Sequence, residues 1–234
     1  MPDKRTKLPA RHELKYFINP AELEVLRARL RPVMHLDSHC VGGRPYLIRS
    51  LYLDDIDDSA YYDKVSGVMA RDKYRIRIYN DSDSVIKLER KHKDGAYIQK
   101  SSLTLSRAEC DALLAGDFAF LLGRPEPFAG QMYGIFRTRL LKPRVLVDYT
   151  REPYVFPVED VRVTFDKNVR TAMRCTELFN PHAPTYPVSD LENCMILEIK
   201  FNRYLPTYVH ALVQLGASQH TAASKYVFSR QYEF

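Results

Sequence analysis

Five stretches of the chain alternate polar and apolar residues with a period of two, the pattern of a β-strand with two unlike faces. One face of each strand suits a protein core, and the other carries charge. One such strand is ordinary surface chemistry, whereas five mostly basic ones indicate a shared polyanion site that also holds a metal. The polar positions are Arg11-Glu13-Lys15, Arg75-Arg77, Lys87-Glu89-Lys91, Arg162-Thr164-Asp166 and Glu198-Lys200.

The same periodicity predicts the order of the secondary structure elements. Strands are expected at 11–18, 46–54, 71–80, 84–92, 97–105, 143–151, 160–168 and 193–201. Helices are expected near 20–31, 57–66, 106–116, 128–137 and 205–215. Asn19 before Pro20 predicts one helix start, and Ser106 with Glu109 predicts another through a capping box.

About eight strands with charged inner faces and apolar outer faces close well into a barrel whose outside is buried by helices. No Gly/Ser/Pro-rich linker divides the chain, so residues 1–234 are expected to form a single domain. We therefore expect an α+β fold built on an antiparallel eight-stranded β-barrel tunnel with helices packed outside. A barrel of this size is wide enough to hold a ligand.

The net charge limits the classes of binding partner, and the cysteine pattern indicates the cellular compartment. The net charge of +6 favours anionic partners without choosing between nucleic acid, a membrane surface and phosphorylated small molecules. Its spread through strand patterns argues against nucleic acid. The four cysteines are scattered and show no zinc spacing, which is typical of a reducing cytoplasm. The first residues show no apolar signal region, and no apolar stretch approaches the ~20 residues that span a bilayer, so we expect a soluble protein.

The charged residues allow two kinds of chemistry. Arg75 and Arg77 share a strand face, and guanidinium groups bind phosphate oxygens in pairs. Glu13, Glu89 and Glu198 lie beside basic residues, where they either balance the cations or hold Mg²⁺ or Mn²⁺ together with substrate phosphates. Glu198 is the best ligand candidate because its apolar neighbours predict burial.

An acidic run at residues 54–58 was the other candidate for a cation site. It lacks the glycine and the distal glutamate of a calcium-binding loop, so a solvated turn and a helix N-terminus are expected there. The sequence contains no phosphate-binding P-loop, dinucleotide fingerprint, nucleophile elbow or zincin motif.

Taken together and in order, several motifs resemble those of VTC domains, the polyphosphate polymerase modules of the vacuolar transporter chaperone complex and their bacterial relatives. These domains belong to the CYTH-like triphosphate tunnel metalloenzymes, and the resemblance runs from about residue 9 to 229. The motifs are Arg11-x-Glu13-x-Lys15-Tyr16, Ser50-Leu-Tyr-Leu-Asp54, Lys73-Tyr-Arg-Ile-Arg-Ile-Tyr79, Leu88-Glu-Arg-Lys91, Lys100, Val161-Arg-Val163, Leu197-Glu-Ile-Lys200 and Ser224-Lys-Tyr226.

The resemblance implies an ATP-dependent, Mn²⁺- or Mg²⁺-dependent polymerase that moves the γ-phosphoryl group onto a polyphosphate chain. By position it implies catalytic roles for Arg75, Arg77, Lys91, Arg162 and Glu198, and metal ligation by Glu198, Glu13 and Glu89. Phosphate or nucleotide binding is implied for Lys15, Arg75, Arg77, Lys91, Lys100, Arg162, Lys200, Ser224 and Lys225.

One departure from the family pattern precedes Ser224. Residues 221–223 are Thr-Ala-Ala, where polymerases of this family usually carry a basic residue and an aromatic one. A triphosphatase or nucleotide hydrolase of the same fold, and a non-catalytic polyphosphate-binding module, therefore stay open as alternatives. The membrane-spanning segments of the eukaryotic proteins are not found in this sequence, so any coupling to transport would need a separate membrane partner.

Overall fold

One antiparallel sheet carries the fold. The structure is a computed structural model and describes residues 12–95, 97–215 and 221–231, so Arg11 lies outside the described residues. The strands are β1 (His12–Ile18), β2 (His35–Leu36), β3 (Tyr46–Asp54), β4 (Ala70–Tyr79), β5 (Ser82–Asp94), β6 (Tyr97–Leu105), β7 (Lys142–Phe156), β8 (Val161–Met173), β9 (Tyr186–Pro187) and β10 (Met195–Phe201). The main sheet has the order β1-β10-β8-β7-β3-β4-β5-β6, with β2 paired to β7 and β9 to β8.

Six helices are described around this sheet, and none of them is both long and apolar enough to cross a membrane. They are α1 (Pro20–Leu30), α2 (Ser59–Val65), α3 (Arg107–Leu114), α4 (Pro127–Arg139), α5 (Thr207–Val213) and α6 (Lys225–Phe228). Both predicted N-caps are confirmed. Glu22 N donates to Asn19 Oδ1 at 2.9 Å, and Glu109 N donates to Ser106 Oγ at 3.2 Å.

The α+β prediction is confirmed, and the helices and strands differ from the predicted ones mainly in length. Strands β7 and β8 are longer than predicted, and the short elements β2, β9 and α6 were not predicted. Strand β7 continues through Pro153 because the neighbouring segment needs only its carbonyl group, to which Asp37 N donates at 3.0 Å. A proline is tolerated in a strand at a position where the backbone N–H would have no hydrogen-bond acceptor.

Helices bury the outer, convex face of the sheet, as the alternation predicted. Helices α1 and α5 cover β1, β10 and β8, where Leu26 and Val209 are fully buried with Val163. Helices α3 and α4 cover the β3–β6 half, where Met132 packs in one core with Ile76. Each buried aliphatic side chain of this size contributes about 1.5–3 kcal/mol, so these outer cores hold the sheet in its curved shape.

The carboxyl-terminal segment, residues 221–231, lies on the concave inner face. The Tyr226 ring stacks on Tyr52 with centroids 4.9 Å apart, and both belong to an inner apolar cluster. Thr221 N donates to Lys15 O at 2.8 Å, which attaches the start of the segment to β1. The last helix therefore fills one part of the concave face and leaves the charged part beside it.

Curvature brings the two ends of the sheet together. Lys91 Nζ on β5 lies 2.9 Å from Glu13 Oε2 on β1, although β1 and β6 are the ends of the described hydrogen-bonded strand order. The predicted barrel is thus a curled sheet whose seam, in the described part of the chain, is completed by side chains rather than by a backbone ladder.

Candidate functional site

Strand register places the charged positions on the concave face. Lys15 is opposite Glu198, Arg75 is opposite Glu89, and Lys91 is opposite both Lys73 and Lys100. Residues directly opposite each other in a sheet project to the same side. The inner-facing charged residues of the strands include Glu13, Lys15, Lys73, Arg75, Arg77, Glu89, Lys91, Lys100, Arg151, Asp166, Glu198 and Lys200.

The first group of these side chains lies at the seam, around Glu13. Its carboxylate contacts Lys91 at 2.9 Å and Lys15 at 3.1 Å, while Lys200 Nζ lies 2.5 Å from Glu198 Oε1. Burial and the nearby Glu198 raise the pKa of Glu13, yet the surrounding lysines outweigh them and lower it to about 2. Both carboxylates are therefore ionised at neutral pH.

The second group surrounds Glu89, which is only 1% exposed. Arg75 Nε donates to Glu89 Oε2 at 2.7 Å, Arg77 lies 3.7 Å from the same oxygen, and Lys100 contacts the other oxygen. Burial raises the pKa of this carboxyl, but the three cations hold it well below its usual range. Glu89 thus acts as the internal counter-ion of the arginine pair.

A third group is centred on Asp166, one of the predicted polar strand positions, and includes Arg151, which the sequence pattern did not bring to notice. Arg151 Nε donates to Asp166 Oδ1 at 2.7 Å, and Lys225 Nζ lies 2.5 Å from Oδ2. Burial raises the pKa of Asp166, and Arg151 and Lys225 together lower it to about 2. In the sequence, Arg151 is two residues from Tyr149 and so shares its strand face. The Tyr149 hydroxyl accepts a hydrogen bond from the Arg77 guanidinium at 3.0 Å, which places that face on the inside.

Lys73 was also missed as a site residue, although it lies in the strand that carries the arginine pair. Its Nζ hydrogen-bonds to Ser224 Oγ at 2.6 Å and lies 5.8 Å from the centre of the Tyr226 ring. Burial, followed by the charges of Lys15 and Lys91, holds the pKa of Lys73 well below its usual range. Burial is also the largest effect on Lys91, and together with Lys15 and Lys200 it outweighs the nearby glutamates and lowers the pKa of Lys91 to about 8.

Two predicted binding residues, Arg162 and Ser224, lie outside the three groups described above. Arg162 shares the concave face with Lys200 by register, but its guanidinium lies 2.9 Å from Asp37 and its side chain is 41% exposed. It therefore sits at the rim of the site rather than inside it. Ser224 is the N-cap of α6 and is buried, so the structure brings it and Lys225 to Lys73 and Asp166.

The resulting site is a curved, partly buried surface on which cations outnumber carboxylates among the described residues. Anions with several charged oxygens fit such a surface, since each guanidinium or ammonium group offers a charge-assisted hydrogen bond. The family model of the VTC domain matches residues 10–234. The chain belongs to the VTC domain family.

Solved structures similar to this VTC domain have low sequence identity. A candidate adenylate cyclase from Bacillus halodurans is 15% identical, with 87% of this chain and 86% of that chain covered and a TM-score of 0.49. A candidate adenylate cyclase from Vibrio parahaemolyticus is 8% identical over 87% and 84% of the two chains, with a TM-score of 0.44. A protein from Pyrococcus horikoshii is 14% identical over 87% and 84%, with a TM-score of 0.41. No curated protein matches the chain.

Carboxylates of this VTC domain could hold a divalent cation only in part. Over the described ranges, no group of three or more His, Cys, Asp or Glu side chains is placed to hold a metal ion. Glu198 does lie close enough to Glu13 to raise the pKa of Glu13. Two hard carboxylates fit Mg²⁺ or Mn²⁺ when substrate phosphates supply further oxygens, which is how Mg²⁺ is usually bound.

The acidic run at the start of α2 differs from its prediction. A helix follows it as expected, but Asp54 and Asp55 are 1% and 6% exposed rather than solvated. Ala60 N donates to Asp54 Oδ1 at 3.0 Å, and Tyr226 and Arg230 contact Oδ2. Asp54 is therefore the anchor of the carboxyl-terminal segment of this VTC domain, and that segment supplies Ser224 and Lys225 to the site.

Proposed function

We propose that this VTC domain is a metal-dependent polyphosphate polymerase that transfers the γ-phosphoryl group of ATP to a polyphosphate chain inside its basic tunnel. The family assignment supports a function on nucleotide phosphates or polyphosphate. The observation that carries the proposal is the convergence of cations from β1, β4, β5, β6 and the carboxyl-terminal segment on one face of the sheet, around Glu13, Glu89 and Asp166. An anion with several charged oxygens can bind several of these cations at once.

The inner groups divide into two parts of a phosphate clamp. Arg75, Arg77 and Lys100 already surround one carboxylate, so they are arranged to surround an anionic oxygen cluster. Lys15, Lys91 and Lys200 do the same at the seam, with Ser224 and Lys225 opposite. Arg162 at the rim is placed to contact the chain where it enters or leaves. These roles follow from charge and position, because phosphoryl transfer depends mainly on neutralisation and alignment.

Glu198, with Glu13 beside it, would hold the divalent cation, and Glu89 would serve mainly to balance the arginine pair. When bound, the cation would draw charge from the β- and γ-phosphate oxygens and so ease departure of the nucleoside diphosphate. The residues of the chain hold the reacting phosphates in line and exclude water. Water exclusion favours transfer to a chain end over hydrolysis.

One observation favours a binding module as the second candidate. Ala222 is exposed and brings no charge to the site, and Ala223 offers Lys15 only its carbonyl oxygen, at 3.2 Å. The clamp is thus weaker at this position than the family pattern provides. A hydrolase of the same fold would use the same clamps with water as the acceptor.

The test is incubation of the purified protein with ATP and Mn²⁺, followed by gel analysis of phosphate chains and assay of free phosphate. A ladder of chains is the expected product. Free phosphate without a ladder would replace the proposal with a hydrolase, and binding of ATP without either product would replace it with a binding module. Arg107→Ala, which changes an exposed arginine on α3, is the matched control for variants of the inner arginines.

A further inference from the structure

Lys73 and Ser224 form a close pair on the concave face. Their Nζ and Oγ atoms are 2.6 Å apart, and Ser224 is 8% exposed. At this distance an ammonium group donates to the hydroxyl, and a neutral amine accepts from it. Strand β4 holds the lysine, and the start of α6 holds the serine, so the pair joins the sheet to the carboxyl-terminal segment.

The surroundings of Lys73 favour the neutral amine. The other inner cations contact carboxylates: Lys15 and Lys91 contact Glu13, and the arginine pair contacts Glu89. Lys73 contacts no carboxylate within the described part of the chain. The largest charge effects on it come from Lys15 of β1, Lys91 of β5, Lys64 of α2 and Arg71 of β4, and all four groups are cations.

A neutral lysine amine beside a serine hydroxyl is a general base beside a nucleophile, an arrangement that also occurs in Ser-Lys hydrolases. Ser50 provides the contrast on the same face. Its Oγ accepts from Arg77 Nε at 3.2 Å, and a guanidinium group does not give up its proton in proteins. The proton of the Ser50 hydroxyl therefore has no comparable acceptor there.

We propose that Ser224 is a phosphoryl acceptor, activated by Lys73, on which the first phosphoryl group is placed when no free chain end is bound. This rests on the proposed function, because it takes ATP in the tunnel as the donor. Ser224 Oγ forms a bond to the γ-phosphorus, and the bond from that phosphorus to the β,γ-bridging oxygen breaks. ADP leaves with the electron pair of that bond, and the hydroxyl proton moves to Lys73 Nζ.

The test uses the full-length protein, ATP labelled in the γ-phosphate and Mn²⁺, with label on the denatured protein measured by gel and located by mass spectrometry. We expect base-labile, acid-stable label on Ser224, absent from S224A. General base catalysis contributes about 10²–10⁴-fold, so K73M and K73R should both label at least about 100-fold more slowly. K73R places a permanent positive charge beside Ser224, so its ATP affinity should not fall below that of the wild type. S84A, at an exposed serine near the start of β5, should label normally.

The outcomes separate this inference from the proposed function. A ladder of free chains with no label on the protein would overturn the role of Ser224 and leave the polymerase intact. Label on Ser224 without a ladder would support the acceptor and contradict the polymerase. Acid-labile label on Lys73, or normal labelling of K73R, would overturn the base role. Tripolyphosphate supplied as a free acceptor should suppress the label, and persistence of the label would contradict initiation.

Discussion

Replacing Glu89 with glutamine tests whether a fixed carboxylate holds the arginine pair ready for phosphate. The buried carboxylate contacts Arg75, Arg77 and Lys100, so the change leaves three cations facing one another. Removing one partner of a buried ion pair costs about 3–5 kcal/mol. For a domain of this size, even the lower value lowers Tm by roughly 6–12 °C.

E89Q should lower the stability of the fold but raise its affinity for an anionic ligand. Without the carboxylate, an anion gains the full attraction of the three cations, so we expect E89Q to bind tripolyphosphate more tightly than the wild type. The anion should also raise the Tm of E89Q more than that of the wild type, because a ligand stabilises by an amount that grows with its affinity. Calorimetric unfolding and titration, without divalent metal, measure both quantities.

The pH dependence gives an independent check. The pKa of Glu89 is lowered on folding, so the folded protein gains stability above the unfolded pKa of about 4.5 and loses it as pH falls through the folded pKa. The stability difference between wild type and E89Q should therefore be constant near neutral pH and shrink in acid.

Glu152 provides the matched control for E89Q. It is buried and paired with Arg27 at 2.5 Å and Lys167 at 2.8 Å, but it belongs to the outer side of the sheet. E152Q should lose stability without any change in tripolyphosphate affinity. Weaker tripolyphosphate binding by E89Q without metal would refute the counter-ion role. Loss of binding only in the presence of Mn²⁺ would instead make Glu89 a metal ligand.

Three further variants test other parts of the site. E198A should abolish metal-dependent turnover while far-ultraviolet circular dichroism stays unchanged, and unchanged turnover would remove Glu198 as the ligand. R75A should weaken ATP binding by at least about tenfold, the equivalent of 1.4 kcal/mol, and binding at wild-type strength by titration calorimetry would contradict the clamp. The pKa of Lys91 is lowered on folding to about 8, so between that pH and about 10.5 the unfolded chain binds more protons than the folded chain. The free energy of unfolding of the wild type should therefore rise with pH in this range. Urea unfolding of K91M should lack this gain, and an identical pH profile would contradict the lowered pKa.

The sequence predicted those features that depend on strand period. Arg75 and Arg77 lie two residues apart, so a single strand brings both guanidinium groups to Glu89 whatever the rest of the fold does. The apolar positions between them predicted an outer core in the same way, and Ile76 is fully buried there. Local pattern also located the helix N-caps, because a capping side chain and its partner lie within one turn.

Contacts between distant segments could not be read from such patterns. Lys73 and Ser224 are separated by 151 positions, and their pairing depends on how the carboxyl-terminal segment crosses the sheet. Asp54 looked solvated because its neighbours in sequence are acidic. Its burial follows from Tyr226, which lies 172 positions away and donates to its carboxylate.

The anchoring of the carboxyl-terminal segment links stability to the site. Burial raises the pKa of Asp54, and the Tyr226 hydroxyl and the backbone groups around Ala60 hold its carboxylate in place. Ser224 and Lys225 immediately precede Tyr226, so their positions depend on this anchor rather than on a strand. Any change that loosens Tyr226 therefore moves Ser224 and Lys225 at once, while the sheet keeps its own charged side chains in place. The strands fix one wall of the site and the last segment fixes the other, which is why an anion held between them should bind the two parts of the fold together.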